Sequence, residues 1–189
     1  MKTIATLTFS PSLDSATSTG SIYPEGKLRC VQPRFEPGGG GINVARAIHM
    51  LGGQACAIYP AGGPTGQHLN QLLRDEGVAI EVVTTHDWTR QNLHVLALDK
   101  GEQYRFVMPG ATLLSEELRG LRQKVAALPA GSLLVISGSL PPGMDVADLV
   151  DLLVFARQNH LHCVLDSSGP ALEEGVAEGG LLLIKPNRK

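Results

Sequence analysis

Aromatic residues are scarce in this chain of 189 residues, at 4% of the sequence. So few rings argue against a surface on which nucleic-acid bases stack. A large excess of charge of one sign is lacking as well, because the chain has 16 Lys and Arg residues and 18 Asp and Glu residues. A net charge of −2 creates no basic field for nucleic acid or an anionic membrane surface. We therefore expect neither of these among the partners.

Long hydrophobic runs are also missing. The longest, at 133–136 and 181–184, have the length of buried strands and are too short to span a bilayer. Residues 1–10 lack the basic and then apolar pattern of a secretory signal. The three cysteines are odd in number and have no metal-like spacing. The sequence thus predicts reduced thiols in a cytoplasmic protein.

Glycine, in contrast, is abundant, and Gly38–Gly41 form an unbroken run directly before an apolar helical pattern. Backbone without Cβ atoms can approach a ligand closely. The first turn of the following helix offers unpaired N–H donors and the positive end of its dipole. A flexible linker is the alternative, but Ile42, Ala45 and Ile48 fall on one helix face. The pattern therefore favours a site for a small polar ligand.

Two common glycine motifs do not fit this run or its surroundings. A dinucleotide-binding G-x-G-x-x-G motif that began at Gly38 would need glycine where Asn43 stands. A Walker A loop ending at Gly26–Lys27 would need glycine where Ser21 stands. An oxidoreductase with a dinucleotide cofactor is accordingly disfavoured.

Apolar strand-like runs alternate with helical patterns along the chain. The predicted strands are 4–9, 55–59, 133–137, 163–165 and 181–184, and the predicted helices are 42–51, 65–76, 115–128 and 146–159. Ser115 is the predicted N-cap of the third helix. Such alternation predicts an α/β fold with a doubly wound, mostly parallel sheet. Segments 23–35 and 91–108 break the rhythm; the second predicts a hairpin that turns at Asp99–Gly101.

Polar residues follow several of these strands, at the edge where open α/β sheets bind ligands. Asp14 follows the first strand and could accept hydrogen bonds from sugar hydroxyls, or could equally stabilise its own loop as an Asx turn. Ser139 follows the strand at 133–137, with a plain turn as its alternative. Arg90 and Arg105 could bind a phosphate through their planar guanidinium forks, or could simply face solvent.

Six motifs occur in the order found in the ribokinase-type carbohydrate kinases. They are Pro11–Asp14, Glu25–Lys27, Gly40–Ala45 with Gly52 and Gly62, Thr89–Asn92, Gly138–Gly143 and Lys185–Asn187. The chain resembles this family from Thr6 to Lys189. The resemblance implies ATP-dependent phosphorylation of fructose 6-phosphate. Tagatose 6-phosphate, fructose 1-phosphate and a non-catalytic sugar-phosphate-binding role remain alternatives.

The resemblance further implies a single ribokinase-like domain with a small β lid, built from segments of about 20–36 and 88–109, through which two subunits pair. It assigns Asp14, Gly39, Asn43 and Ser139 to the sugar. It assigns Arg90 and Arg105 to the phosphate of the substrate, and Lys27 to the site of the neighbouring subunit. Lys185 and Asn187 would face the phosphates of ATP, the co-substrate, and Asp166 would contact the hydration shell of Mg²⁺.

The Gly-Ala-Gly-Asp motif, which carries the catalytic base and anion hole in this family, is absent from the sequence. We therefore expect residues 1–189 to form the N-terminal part of the domain, truncated before its C-terminal part, with no catalytic residue of its own. We expect the isolated chain to lack kinase turnover and to self-associate, because the apolar run at 181–184 would form a bare sheet edge.

Overall fold

The computed structural model describes residues 3–186, which fold into two β-sheets and five α-helices. The strands are β1 (Ile4–Leu7), β2 (Ser12–Thr19), β3 (Arg34–Gly38), β4 (Cys56–Ala61), β5 (Ala79–Thr84), β6 (Arg90–Ala97), β7 (Glu102–Phe106), β8 (Leu133–Ser137), β9 (His162–Asp166) and β10 (Leu183–Ile184). The helices are α1 (Gly40–Met50), α2 (Gly63–Asp75), α3 (Ser115–Ala126), α4 (Val146–Gln158) and α5 (Gly169–Glu178).

The main sheet is parallel throughout, with six strands in the order β10-β9-β8-β1-β4-β5. One apolar cluster packs α1 and α2 against one face, and the other packs α3, α4 and α5 against the opposite face. In β4, Ile58 belongs to the cluster with α3, α4 and α5, whereas its neighbours Ala57 and Tyr59 belong to the cluster with α1 and α2. This is expected because side chains alternate across a strand. The predicted doubly wound α/β fold is confirmed.

The second sheet has four strands in the order β3-β2-β6-β7. It draws on both predicted lid segments and also on β2, which neither of them includes. The hairpin of β6 and β7 turns as predicted, with Gly101 at a φ of 67°. The segment 23–35, expected to be extended, instead contains a turn at 24–26 and one isolated bridge between Thr19 and Cys30 before β3 begins.

Several local predictions differ from the structure. Ser115 is the first residue of α3 and not its N-cap; Leu114 precedes the helix, and its N–H donates to the Glu117 carboxylate at 2.7 Å. β5 and α5 were not predicted. β10 is a short edge strand whose residues Leu183 and Ile184 are 59% and 42% exposed, so the described residues do not cover this apolar run.

Cys30, Cys56 and Cys163 are all free, and burial raises the pKa of Cys163 to about 11. Over residues 3–186, none of the helices combines the length and apolarity required to cross a bilayer.

Replacing Leu134 tests the core of the main sheet. Leu134 is completely buried in β8, so Leu134→Ala removes apolar contacts and leaves a cavity. We expect the free energy of unfolding, measured by urea titration, to fall by about 2–5 kcal/mol. The control is Leu182→Ala, because Leu182 is 63% exposed. Equal losses in the two variants would contradict this description of the core.

Candidate functional site

The glycine run joins the two sheets at the carboxyl ends of the main-sheet strands. Gly38 ends β3 in the second sheet, and Gly40 begins α1, which packs on the main sheet. A Cβ atom at Gly40 would overlap the Ser137 hydroxyl at the end of β8. One at Gly41 would come within 2.6 Å of Thr8 Oγ1 and 2.8 Å of the Leu7 carbonyl oxygen. Glycine is therefore required here for packing.

The first turn of α1 keeps part of its donor capacity for a ligand. Gly39, the N-cap residue, has a φ of 121° and provides no side-chain cap. The Ile42 N–H donates instead to Thr8 Oγ1 at 3.0 Å. The amides of Gly40 and Gly41 precede any intrahelical acceptor, so they remain suited to a polar or anionic group. Asn43, in the same turn, has an exposed side chain.

Asp14 lies within β2, and the prediction that it follows the first strand in a loop is wrong. β1 ends at Leu7 and β2 begins at Ser12, so Asp14 is a strand residue in the second sheet. Its Oδ1 accepts hydrogen bonds from Ser12 Oγ at 2.7 Å and from Asn92 Nδ2 at 2.8 Å. A Cβ atom at Gly38 would overlap Ser12 Oγ and crowd the Asp14 carboxylate. The carboxylate is thus held directly against the glycine run.

Arg90 lies beside this carboxylate, in a setting that the sequence did not predict. Its guanidinium donates to the carbonyl oxygens of Ser10 at 2.9 Å, Met108 at 3.0 Å and Pro11 at 3.4 Å. Partial burial lowers the pKa of Arg90, and the charge of Asp14 opposes that shift. Arg90 therefore ties the β1–β2 connection to the exit of β7. A guanidinium carries more N–H donors than these three carbonyls occupy, so it can still bind an anion.

Two further side chains position the site and were not among the predicted residues. Asn92 lies two residues after Arg90 on β6, so strand alternation places both on the same face, and this spacing was the available signal. Arg46, on α1, forms a two-pronged ion pair with Glu76 at 2.6 and 2.7 Å. Its Nη1 also donates to the Pro37 carbonyl at 3.3 Å. Arg46 thereby anchors the residue before the glycine run.

The remaining predicted sugar and phosphate residues lie at the surface. Ser139 is exposed and follows Gly138, a residue that lies against the backbone of Gly40. Arg105 is exposed on β7, where its Nε donates to Gln103 Oε1 at 3.1 Å. The neighbouring Phe106 is 48% exposed as well. Lys27 is exposed in the segment between β2 and β3.

A second cluster of polar side chains lies at the carboxyl ends of β8 and β9, next to Gly138. Asp166 closes β9, and its carboxylate accepts from Ser137 Oγ at 2.8 Å and from Lys185 Nζ at 3.1 Å. Asn187, the other residue predicted to face a nucleotide, lies outside the described residues. The predicted roles of Asp166 and Lys185 in nucleotide and magnesium binding stay predictions.

The donor set around Asp166 determines how Mg²⁺ could bind there. Within residues 3–186 there is no cluster of three His, Cys, Asp or Glu side chains that could hold a metal ion. Both Asp166 oxygens already accept a hydrogen bond. Mg²⁺ usually keeps several waters and relies on one or two carboxylates and on substrate phosphates. Each Asp166 oxygen keeps a further lone pair, so the carboxylate is compatible with an ion that is held mainly by water and phosphate oxygens.

Comparison with known proteins places these features in a family. Residues 10–189 match the pfkB family of carbohydrate kinases. The chain belongs to this family. It is 58% identical over 189 residues to the ATP-dependent 6-phosphofructokinase isozyme 2 of Escherichia coli, which is all of this chain and 61% of that protein. A tagatose-6-phosphate kinase of Staphylococcus epidermidis is 27% identical over 186 residues, or 97% of this chain and 59% of that protein.

Solved structures show the same architecture. The crystal structure of E. coli phosphofructokinase-2 in complex with fructose-6-phosphate superimposes with a TM-score of 0.96 and 58% identity, over 98% of this chain and 61% of that one. The tetrameric inhibited form of the same E. coli protein gives a TM-score of 0.95 with the same identity and coverage. The pfkB chain described here thus spans about three-fifths of the length of these relatives.

Gly38→Ala tests the steric account of this pfkB site. The new Cβ would overlap Ser12 Oγ and crowd the Asp14 carboxylate, so one of these groups must move. We expect the free energy of unfolding, measured by urea titration, to fall by about 1–3 kcal/mol, as in overpacked cores. Gly20→Ala is the matched control, because nothing lies within 4 Å of a Cβ at Gly20. A Gly38→Ala variant as stable as the control would contradict the close packing.

Proposed function

We propose that this chain forms the sugar-phosphate site of an ATP-dependent 6-phosphofructokinase, which transfers the γ-phosphoryl group of ATP to the 1-hydroxyl of fructose 6-phosphate. The observation that carries the proposal is the Asp14 carboxylate, held between Ser12 and Asn92 against the amino end of α1 with Arg90 beside it. The 58% identity to an enzyme of this name supports it. Nothing specific favours tagatose 6-phosphate or fructose 1-phosphate.

Asp14 and α1 would hold the sugar. A carboxylate oxygen accepts hydrogen bonds from sugar hydroxyls, and the amides of Gly40 and Gly41 donate to sugar oxygens. Gly39, Asn43 and Ser139 would complete the contacts around the same opening. Holding the acceptor hydroxyl in line with the γ-phosphate supplies much of the rate enhancement in phosphoryl transfer.

Arg90 would bind the phosphate already present on the sugar. A guanidinium matches a phosphate with two parallel hydrogen bonds, and the carbonyls of Ser10 and Met108 fix its plane. Arg105 and Lys27 are exposed and would reach the same phosphate only as mobile charges or across a subunit boundary. Arg90 is therefore the principal phosphate ligand in this proposal.

The ATP side of the site would lie near Asp166 and Lys185. Lys185 Nζ, next to the Asp166 carboxylate, can turn its charge toward the nucleotide phosphates, with Asn187 beyond it. Mg²⁺, bound with ATP, would neutralise phosphate charge, and Asp166 would hold its waters. We assign no base within residues 1–189, because Asp14 serves to bind the sugar. Proton removal falls to a residue of the downstream part that the family resemblance implies.

Arg90→Lys tests the substrate in the full-length protein that carries this sequence. A lysine cannot form the planar fork or span the same carbonyls, so we expect the apparent affinity for fructose 6-phosphate to fall about 10- to 100-fold, measured by a coupled ADP-release assay. The affinity for ATP should be unchanged. The control is Arg119→Lys, on the exposed side of α3.

The same assay separates the candidate substrates. If tagatose 6-phosphate supports faster turnover than fructose 6-phosphate at equal concentration, the sibling activity is correct and the proposal is wrong. Sugar-phosphate binding without ATP-dependent turnover would favour a non-catalytic protein. An Arg90→Lys enzyme with normal affinity for fructose 6-phosphate would remove Arg90 from the phosphate site.

We further infer that two copies pair through the second sheet. Leu93 and Phe106 lie opposite each other on β6 and β7, and both are more than one-third exposed. Adjacent exposed apolar side chains on a sheet face are typical of an interface. The related E. coli enzyme forms a tetramer in its inhibited form, so self-association occurs among relatives.

Phe106→Lys tests this pairing in the full-length protein. A charge placed in the apolar interface should shift the protein from dimer to monomer in sedimentation velocity, because lysine cannot be buried there without a partner. Met50→Lys is the control, since Met50 is exposed at the end of α1, away from the second sheet. A Phe106→Lys protein that stays dimeric would contradict the proposed interface.

A further inference from the structure

The side-chain amide of Asn92 is buried, at 6% exposure, between Asp14 and the exit of β7. Its Nδ2 donates to Asp14 Oδ1 at 2.8 Å, and its Oδ1 accepts from the Met108 N–H at 3.0 Å. A main-chain N–H can only donate, so the amide oxygen must face Met108. The NH₂ group is thereby forced toward Asp14, and the orientation of the amide is fixed.

This arrangement distinguishes the two oxygens of the Asp14 carboxylate. Oδ1 receives both donors, Ser12 Oγ and Asn92 Nδ2. Within residues 3–186, Oδ2 accepts no hydrogen bond, and it lies over Gly38, the residue before the amino end of α1. One oxygen is therefore anchored and the other is open to a ligand.

Asn92 and Arg90 also bond to the backbone of the same residue, Met108, at the exit of β7. Met108 donates its N–H to Asn92 and accepts at its carbonyl from Arg90 Nη1 at 3.0 Å. The Asp14 carboxylate, proposed to hold the sugar hydroxyls, is linked to Met108 through Asn92. The Arg90 guanidinium, proposed to hold the phosphate, bonds to Met108 directly. Met108 therefore adds a backbone link between the two groups, beside the pairing of β2 with β6.

We propose that Asn92 is a positioning residue for substrate binding: it fixes the Asp14 carboxylate with Oδ2 toward the sugar and couples it, through Met108, to Arg90. The proposal rests on the sugar-binding role of Asp14 given above. Asn92 itself does not touch the substrate. Its loss should therefore lower sugar-phosphate affinity only as far as Asp14 depends on it.

Asn92→Asp tests this role in the full-length protein. The introduced carboxylate keeps the shape of the side chain and an acceptor for the Met108 N–H, but presents an acceptor where Asp14 needs a donor. We expect the affinity for fructose 6-phosphate, measured by calorimetric titration, to fall about 10- to 100-fold, with ATP affinity unchanged. The matched control is Gln91→Glu, since Gln91 is exposed on the same strand.

A double-mutant cycle with Asp14→Ala separates the possible outcomes. If Asn92 acts through Asp14, Asn92→Asp causes no further loss in the Asp14→Ala background. Additive losses, or an Asn92→Asp variant that binds as tightly as Gln91→Glu, would overturn the inference while leaving the proposed function intact. Normal affinity in Asp14→Ala would instead overturn the sugar-binding role itself. Should Asn92→Asp fail to fold, Asn92→Leu replaces it in the cycle with Asp14→Ala, and fully additive losses there would overturn the inference.

Discussion

The close packing of glycine backbone against three strand ends is the constraint on which the rest of the site depends. Gly38, Gly40 and Gly41 each lie where a Cβ atom would collide with a neighbouring side chain or carbonyl. These contacts bring together Asp14 from the second sheet and Thr8 and Ser137 from the main sheet. The run therefore determines both where α1 begins and which polar groups surround its first turn.

The main sheet could be predicted from the sequence because its strands are short apolar runs between helical patterns. β8 was predicted with the bounds that the structure gives it, since Leu133–Ser137 is apolar and sharply limited. β2 was missed for the opposite reason. Its sequence is mostly Ser, Thr and Ala without clear alternation, and it is a strand because β3 and β6 pair with it on both sides. Tertiary context decided its conformation where local preference was weak.

The sequence offered individual candidate residues for the site but not the contacts between them. Asp14 and Arg90 were predicted as ligand-binding residues, and this stays a prediction; their partners in the fold depend on strand register. Asn92 lies 78 residues from Asp14, and the carbonyls that hold Arg90 lie 18 to 80 residues from it. No local pattern reports such pairs. Arg46 could not be identified from a local pattern for the same reason, because its partner Glu76 follows the end of α2.

The central claim is that fructose 6-phosphate binds where the glycine run meets Asp14. Backbone and side-chain amide shifts, followed by NMR as fructose 6-phosphate is added to the full-length protein, test it most directly. We expect the largest changes at Gly39–Ile42 and at the side-chain amide of Asn92. Changes confined instead to the cleft at the opposite end of the main sheet, lined by Gly52, Gly53 and Gln54, would contradict the account.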